Sequence, residues 1–565
     1  MGESNRQSKS LSGIIDNFSY NSFYIILALS ILVFIFWPII EVIIESFYFD
    51  DTFSLEMYRN LFQRNFNLVT NSLFVAVLTT TFTIIFSTFV AVYTSFSGAK
   101  LKRFIFLVLL MTMVSPPFVS ALAYIRLFGR RGFMTYGLFG VTLNTYGWQG
   151  IVAMQTLSNI SLSALIIIGV ISGIDKSYIM AAKDLGADTK EIVFKIIIPL
   201  AKPGIIVVAL LSFVRSLADF GTPIIIGGGY RVLATQIYLN VIAYFNLPRA
   251  AAMSVLILIP AMFAFFVYRY YMENLKFSSS GFSVSSRFQD IFKLSGTVKH
   301  LITVFSWFFL TAILLQYFTI LFTAVTTYSG GNLAFTLDHI RSLNPTRMAS
   351  FYRSIRYAFI AATAGSFIGL LLSYYIERSN LPGVKAIDLI STLPYIIPGT
   401  FFGIGYILAF RDYPLRLTGT VAIVLLNYIY RQMPLVIKTG SAVLQNISQD
   451  LEKAAKDLGA GRLTVIKDVV FPLLKPAFLV SFVNTFAMTM TSIGAVIFLI
   501  YPGGKVATVE MFDAIENGNY GLGSVMASMI LLFTLIVSLI FIIFIMPDKK
   551  ITGSNKLKFI RGIFK

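Results

Sequence analysis

The chain has 565 residues, of which 56% are hydrophobic and only 13% are charged, and its formal net charge is +19. So apolar a composition is typical of a membrane protein and excludes a water-soluble globular protein of this length. The basic excess does not indicate nucleic-acid binding, because the sequence contains no basic soluble domain that could hold a nucleic acid. Cysteine is absent, which excludes disulfide bonds and thiolate metal sites.

Twelve apolar stretches, each near the ~20 residues that cross a bilayer, predict an all-α integral membrane protein of two six-helix halves. The first stretch is expected to be a retained helix rather than a signal peptide, since no small-residue cleavage site follows it. In chain order the predicted spans are 22–46, 69–95, 104–127, 148–172, 204–226 and 251–272, then 301–327, 356–377, 386–410, 418–440, 477–500 and 525–546.

These spans predict five segments of chain. They are a cytoplasmic N-terminal tail (1–21), a first transmembrane domain (22–273), a cytoplasmic linker (274–300), a second transmembrane domain (301–546) and a basic cytoplasmic tail (547–565). Both termini are predicted to be cytoplasmic, because the inner segments then carry roughly twice as many lysine and arginine residues as the outer ones.

A polar segment between spans occurs twice, once in each predicted half. We call Ala181–Ala187 the first repeat loop and Ala454–Ala460 the second repeat loop; both read Ala-Ala-Lys-Asp-Leu-Gly-Ala. Each runs on to a Pro-Leu-x-Lys-Pro string, and 11 of the 23 aligned positions are identical. An internal repeat of this kind indicates two equivalent docking points on one side of the membrane.

The composition of the repeat loops suits close contact with a partner. A short helix of small residues lets a partner surface approach the backbone, and Gly186 or Gly459 is expected to end that helix. Pro199 and Pro472 are expected to separate the following helical stretch from the next span. The alternative is an amphipathic turn retained from gene duplication, which does not explain why this stretch kept its sequence while the neighbouring spans diverged.

The repeat loops resemble the "EAA" loop of permease subunits of binding-protein-dependent ABC importers. That pattern is Glu-Ala-Ala, three residues, Gly, and then about a dozen residues to a Pro. The Ala-Ala, Gly and Pro positions match in both copies. The Glu position holds Met180 in one copy and Lys453 in the other, with Glu452 just before it. This difference puts in doubt one polar contact that the resemblance implies between the loop and the ATP-hydrolysing subunit.

The resemblance implies two fused permease domains in a bacterial inner membrane. It implies as partners two copies of an ABC ATPase subunit, a substrate-binding protein on the outer face and membrane lipid. The chain itself is expected to bind no cofactor and to be no enzyme; no phosphate-binding loop is present, and ATP is used by the partner subunits. The residues implied to couple to the ATPase are Ala181, Ala182, Asp184, Gly186, Ala187, Ala454, Ala455, Asp457, Gly459 and Ala460.

Strings toward the carboxyl ends of the third and fifth predicted spans point to a cargo. Segments 115–125 and 217–223, with their echoes at 398–407 and 492–494, are similar to fused ferric-iron permeases. Polyamine, phosphonate and sulfate permeases have overlapping patterns and remain alternatives. Ferric iron prefers hard oxygen ligands, and no cluster of carboxylates lies in a predicted span. The expectation is therefore no metal site in this chain, and iron is implied by resemblance alone.

Charged residues inside spans are expensive and are candidates for function. Arg215 and Asp219 are four apart in the fifth predicted span, so they are expected to share a helix face. They are either a mutually neutralised packing pair or an element of the transport pathway. Ser492 stands at the position of Asp219 in the other half, which predicts an asymmetric pathway.

A second set of candidates lies in the tenth predicted span, which Arg431, Asn427 and Pro434 interrupt. Arg431 is either a structural arginine bonded to backbone carbonyls or part of the pathway. Prolines 116, 117, 394 and 398 either break helices near the midplane, where they would line a cavity, or make ordinary kinks. A remote alternative to the importer is an ion-coupled secondary transporter, with Asp219 as its coupling carboxylate.

Overall fold

The computed structural model describes residues 2–545 apart from 50–51, 114, 117, 131, 143, 275–293 and 330–331. Most of the predicted linker, the predicted tail 547–565 and Pro117 therefore lie outside the described residues. Within the described part, nearly all regular structure is helical, as the apolar composition predicts.

Nine helices of the described chain are long and apolar enough to cross a membrane, and three bent pairs of helices would each do so together. The nine are Asp16–Glu45, Phe66–Ser95, Trp148–Ser172, Thr189–Ala218, Leu247–Tyr271, Gly296–Ala324, Pro345–Arg378, Val421–Leu444 and Tyr520–Phe541. The pairs are Ala99–Met113 with Phe118–Leu138, Val384–Tyr395 with Gly399–Phe410, and Arg462–Leu473 with Lys475–Thr491. Together they match the twelve predicted spans in order.

Two of the bends fall where the sequence places prolines. The first bent pair turns by 102° after Pro116, and the second turns by 117° between Pro394 and Gly399. Proline removes a backbone donor and clashes with the preceding turn, so these prolines break their helices rather than merely kink them.

Pro199 does not separate the stretch after the first repeat loop from the next span, contrary to the prediction, whereas in the second half a bend just after Pro472 does separate Arg462–Leu473 from Lys475–Thr491. In each half a π-helical stretch, Ile192–Ile197 or Ile466–Val470, comes just before the proline. The wider π turn tolerates the missing N–H, so Thr189–Ala218 is one helix. In the second half the 70° bend comes later, at Leu474.

Packing divides the described chain into two compact units. The first unit contains the residues up to Glu45, Ser350–Lys505 and Ile536–Ile545. Its opening helix, Gly2–Ile31, continues through a π turn into Trp37–Glu45, so helical structure starts before the predicted first span. Within this unit the hydroxyl of Tyr406 donates to the carbonyl of Phe34 at 2.8 Å.

The second unit contains Ser46–Ala349 and Val506–Leu535. Here the first span of the second half, Gly296–Ala324, packs against Phe66–Ser95 and Phe118–Phe128. Gln316 Nε2 donates to Ser120 Oγ at 2.9 Å. Each unit therefore combines the first span of one half with spans of the other half, so the packing does not follow chain order.

Two small hairpins and several short helices connect the spans. The hairpins are antiparallel and pair Tyr48–Phe49 with Thr52–Phe53 and Thr326–Ser329 with Asn332–Phe335; each follows the first span of its half. The short α-helices between the spans are Glu56–Arg64, Lys176–Asp184, Gly221–Ile226, Leu233–Ile242, Asp338–Arg341, Asp450–Asp457, Val496–Leu499 and Ala507–Glu516. Within the spans lie the short α-helical pieces Thr189–Glu191, Arg462–Val465 and Phe471–Leu473 and a π-helix at Phe133–Leu138.

Large apolar side chains on the spans face outward. Phe263 is 73% exposed and Phe308 is 66% exposed, each in the middle of a span. A water-soluble protein rarely leaves such residues in contiguous exposed patches. Together with the nine long apolar helices, they identify a multi-pass membrane protein whose outer surface contacts lipid.

Candidate coupling loops and transport pathway

The first repeat loop is a capped helix that ends in a tight turn. Asp175 caps the helix Lys176–Asp184 by accepting the N–H of Ser177 at 2.9 Å, and this backbone hydrogen bond lowers the pKa of Asp175. Gly186 has φ +83°, and Ala187 N–H donates to the carbonyl of Ala182 at 2.9 Å. A positive φ strongly favours glycine, so the sequence ends this helix as predicted.

The second repeat loop has the same geometry. Gly459 has φ +90° after the helix Asp450–Asp457. Ala460 N–H donates to the carbonyl of Ala455 at 3.0 Å, and Gly459 N–H donates to Lys456 at 2.8 Å. Equal sequences thus give equal backbone shapes in two different units.

Both loops present the same surface. Ala181, Asp184 and Gly186 are exposed, while Ala182 and Ala187 are half-buried. Their counterparts Ala454, Asp457, Gly459, Ala455 and Ala460 follow the same pattern.

Each tip carries an exposed leucine that the sequence analysis missed. Leu185 is 88% exposed and Leu458 is 90% exposed. The sequence signal that could have revealed these leucines is an apolar residue between Asp and Gly in an otherwise polar loop. Exposed apolar residues at two equivalent positions are suited to burial against a partner.

A buried ion pair anchors the second repeat loop within its unit. Glu452 is 6% exposed; its Oε1 lies 3.2 Å from Arg378 Nε, and its Oε2 accepts the Tyr374 hydroxyl at 3.1 Å. Arg378 also donates to the carbonyls of Leu444 and Ile447, each at 2.7 Å. The carboxylate that stands one residue from the family position therefore faces inward, toward the helix Pro345–Arg378.

The first repeat loop uses an apolar anchor at the same position. Ile179 stands where the second copy has Glu452, 273 residues later, and it is 1% exposed. The two repeat loops are therefore anchored by different kinds of contact, although their exposed tips are alike.

The segment after each loop is bonded to the start of a first span. In one unit the Asp16 carboxylate accepts the N–H of Arg462 at 2.5 Å and of Leu463 at 3.3 Å. In the other, Ser295 N–H donates to Thr189 Oγ1 at 3.1 Å. Thr189 and Arg462 are equivalent positions of the repeat. We call these two contacts the crossed clamps, since each joins one half's loop segment to the other half's first span.

The fifth span ends before Asp219, so the predicted shared helix face with Arg215 was wrong. The helix stops at Ala218, and Asp219 has the extended angles φ −79° and ψ 108°. Its carboxylate accepts the N–H of Gly221 at 3.0 Å and of Thr222 at 3.1 Å, and Gln155 Nε2 donates to it at 3.0 Å.

Arg215 does not take part in this arrangement. Its side chain is exposed, and none of the ion pairs between described residues joins it to Asp219. The carboxylate instead holds the start of the short helix Gly221–Ile226, which excludes the interpretation as a mutually neutralised packing pair.

Ser492 occupies the equivalent break in the second half. It follows the helix Lys475–Thr491 with φ −75° and ψ 136°, close to the angles of Asp219. Both halves therefore leave the helix at the same point of the repeat, although only one of them has a carboxylate there.

Asn427 and Arg431 lie one turn apart on Val421–Leu444. This helix runs on through Pro434, so these residues interrupt the apolar character of the span and not its helix; an internal proline need cost only one backbone hydrogen bond when the helix is otherwise supported. Both Nη atoms of Arg431 lie 2.7 Å from the position that a Cβ on Gly399 would occupy. The guanidinium thus touches the first residue of the helix Gly399–Phe410, directly after the second bend.

Four aromatic rings, unforeseen from the sequence, pack together within the second unit. Ring centroids are 4.9 Å apart for Phe118 and Phe512, 5.3 Å for Phe220 and Tyr238, and 6.0 Å for Tyr238 and Phe512. Phe118 and Phe220 directly follow helix breaks, and this placement is the sequence signal that could have revealed them. We call these four residues the aromatic cluster.

The described residues include no group of three or more His, Asp or Glu side chains placed to hold a metal ion. The polar groups at the helix breaks are instead carboxamides, hydroxyls and single charges.

Paired loops, broken spans and two related halves define a membrane transport permease. Residues 83–276 and 365–546 each match the family described as binding-protein-dependent transport system inner membrane component. These matches cover more than half of the chain, so the chain belongs to this family. It is a permease subunit of an ABC importer, which works with ATPase subunits and a substrate-binding protein, and not an enzyme.

Similar proteins are known from several bacteria. The ferric transport system permease protein FbpB of Actinobacillus pleuropneumoniae is 30% identical over 551 residues, covering 94% of this chain and 79% of the relative. A putative ferric transport system permease protein of Haemophilus influenzae is 29% identical, covering 87% and 82%. The sulfate transport system permease protein CysT of Salmonella typhimurium is 27% identical, covering 34% of this chain and 74% of the relative.

Proposed function

We propose that this permease carries ferric iron inward from a binding protein on the outer face. The observation that carries this proposal is the extent of the similarity to permeases named for ferric transport. It runs through both halves and covers 94% of the chain in one case. The similarity to a sulfate permease covers 34%, which is about the length of one of the two family matches.

The two repeat loops are proposed to be the docking points of two ATPase subunits, one on each loop. Their support is the identical backbone geometry and the exposed leucine at each tip. Each ATPase would bury one of these leucines, Leu185 or Leu458, together with the exposed small residues of the loop. No further ATP-binding element is needed from this chain, since the ATPase subunits use the ATP.

Both termini and the linker are proposed to lie on the cytoplasmic side. The crossed clamps support this orientation: Asp16, near the amino end, bonds to Arg462, three residues after Gly459. Ser295, at the end of the linker, bonds to Thr189, three residues after Gly186. Loops that meet a cytoplasmic ATPase therefore share their side of the membrane with these segments.

Transport is proposed to proceed by alternating access. A push on a repeat loop would reach the spans by two routes, namely the helical segment that follows the loop and the crossed clamp to a first span. The helix breaks at Asp219 and Ser492 lie at the far ends of those driven helices, and hinges typically lie at such element ends, where they absorb changes of backbone angle. The aromatic cluster, which includes Phe220 next to Asp219, is the proposed gate.

Uptake by cells tests the cargo. A bacterial strain that lacks the chain and one that produces it with its ATPase and binding protein would be supplied in parallel with labelled ferric iron, sulfate and 2-aminoethylphosphonate. Iron accumulation that requires the chain supports the proposal. Accumulation of an oxyanion but not of iron would keep the importer class and overturn the cargo.

A further inference from the structure

The guanidinium of Arg431 and its surroundings form a positive site that no acidic side chain of the described residues neutralises. Among the ion pairs between described residues none includes Arg431, and its buried Nη1 has no hydrogen-bond partner in the described protein. A guanidinium stays charged in proteins. The residue is half-buried, and holding a charge partly away from water without a counter-charge is unfavourable.

The backbone next to the guanidinium adds to the positive potential. Arg431 touches Gly399, the first residue of the twelve-residue helix Gly399–Phe410. The first N–H groups of a helix have no intrahelical acceptor, and the helix dipole makes this end positive. Two positive elements in contact repel each other, and an anion held by both would remove that repulsion.

Two further polar side chains close by have unused hydrogen-bonding atoms. Asn427, one turn before Arg431 on the same helix, is 1% exposed, and neither its Oδ1 nor its Nδ2 has a partner in the described protein. Thr400, next to Gly399, is also 1% exposed, and its hydroxyl has no partner there. Buried polar atoms nearly always have partners, so unpartnered atoms on both helices favour a ligand.

The equivalent bend in the first half lacks this arrangement, so a bend in the helix does not by itself produce it. Phe118 follows the first bend as Gly399 follows the second, and its ring lies 1.9 Å from the position of a Cβ on Gly221. Gly494, the counterpart of Gly221, lies beside Gly399 and the Arg431 guanidinium instead. Ser158 stands at the position of Arg431. An aromatic ring thus fills the first half where the second half places a charge.

We propose that Arg431, Asn427, Thr400 and the amino end of Gly399–Phe410 bind a small oxyanion of the phosphate or carboxylate type. The planar guanidinium fork matches two oxygens of such an anion, and the helix end and the hydroxyl supply further donors. Its role in transport rests on the proposed cargo: an oxyanion bound to Fe³⁺ lets a cationic site hold the metal through its anionic ligand.

Binding of labelled orthophosphate to the purified full-length chain in lipid nanodiscs tests the site, with sulfate and acetate as competitors. Saturable binding is expected in the unmodified chain, and Arg431→Met and Gly399→Ala should each weaken it by about tenfold or more; the second variant keeps the charge but adds a methyl group 2.7 Å from the guanidinium. The exposed Arg356→Met is the matched control and should bind as before. Melting temperatures of all variants show which of them fold.

The outcomes separate this proposal from the proposed function. Absence of saturable binding by phosphate or by either competitor in the unmodified chain overturns the site, as does equal binding in a folded Arg431→Met chain. Intact anion binding without iron uptake contradicts the ferric cargo and leaves the site standing. Iron uptake that is unaffected by Arg431→Met contradicts the role of the site in transport.

Discussion

Glu452 and Arg378 form a buried ion pair, 3.2 Å from Oε1 to Nε, that ties the second repeat loop to the helix Pro345–Arg378. The pair replaces the apolar contact that Ile179 makes at the equivalent point of the first repeat loop. The two loops therefore have the same exposed tip but are anchored by different contacts. The Glu452 carboxylate thus bonds to side chains of the permease's own fold.

Replacing Glu452 with Gln is expected to destabilise the second repeat loop. The substitution leaves a buried guanidinium without its counter-charge, and removing one partner of such a pair typically costs about 3 kcal/mol. The melting temperature of the purified chain and the ratio of transport to ATP hydrolysis would both fall. Glu377→Gln, at the neighbouring and more exposed carboxylate, is the control and should leave both unchanged; equal behaviour of the two variants would refute the anchoring role.

Replacing Gly186 and Gly459 together with Val is expected to uncouple ATP hydrolysis from transport. Both glycines have positive φ, which costs a β-branched residue about 1–2 kcal/mol or more at each position. The loop would then adopt another shape while the spans stay inserted. Gly169→Val is the control, because Gly169 lies in a helix with open space around its Cβ position. Normal transport by the double variant would contradict the coupling assignment.

Replacing Leu185 and Leu458 together with Asp is expected to weaken binding of the ATPase without affecting the fold. These tips are almost fully exposed, so the change removes no internal contact of the permease. A charge in a desolvated interface is unfavourable, and co-purification of the ATPase should drop by tenfold or more. Leu337→Asp changes a leucine that is 56% exposed at the opposite end of the Gly296–Ala324 span. If the unmodified chain, the double variant and Leu337→Asp all retain the ATPase equally, the two leucines are not part of the docking surface.

Asp219 is expected to act independently of Arg215. Asp219→Ala removes the acceptor for Gly221, Thr222 and Gln155, so it should slow transport, with a loss of about 1–3 kcal/mol at the helix break. Arg215→Met should have little effect, and the double variant should resemble Asp219→Ala, since side chains without contact give additive effects. Recovery of transport in the double variant would restore the packing-pair interpretation that the geometry excludes.

Hydropathy and the internal repeat were sufficient to predict the spans and the repeat loops. The order and number of spans follow from apolar length, and the glycine turns follow from a backbone angle that few other residues adopt. Packing partners could not be predicted in this way, because spans that are apolar on all sides carry no signal for their neighbours. The crossing of the first spans, seen in the Tyr406–Phe34 and Gln316–Ser120 contacts, is therefore known only from the structure.

The site residues also divide into those that could be predicted from the sequence and those that could not. Local features such as the bends after Pro116 and at Pro394 could be predicted from the chain. The partners of Asp219 could not, because Gln155 lies 64 residues away and the helix ends one residue before the carboxylate. The aromatic cluster likewise joins segments from both halves of the sequence.

The most direct test of the account is ATP-driven iron uptake by proteoliposomes that contain this chain and its ATPase. Labelled ferric iron would be supplied outside on the purified binding protein, with ATP or a non-hydrolysable analogue inside. We expect iron to accumulate only with hydrolysable ATP and only when the binding protein is present. Uptake that proceeds on an ion gradient without ATP, or ATP-driven uptake of other solutes but not of iron, would contradict the assignment as an ATP-driven iron importer.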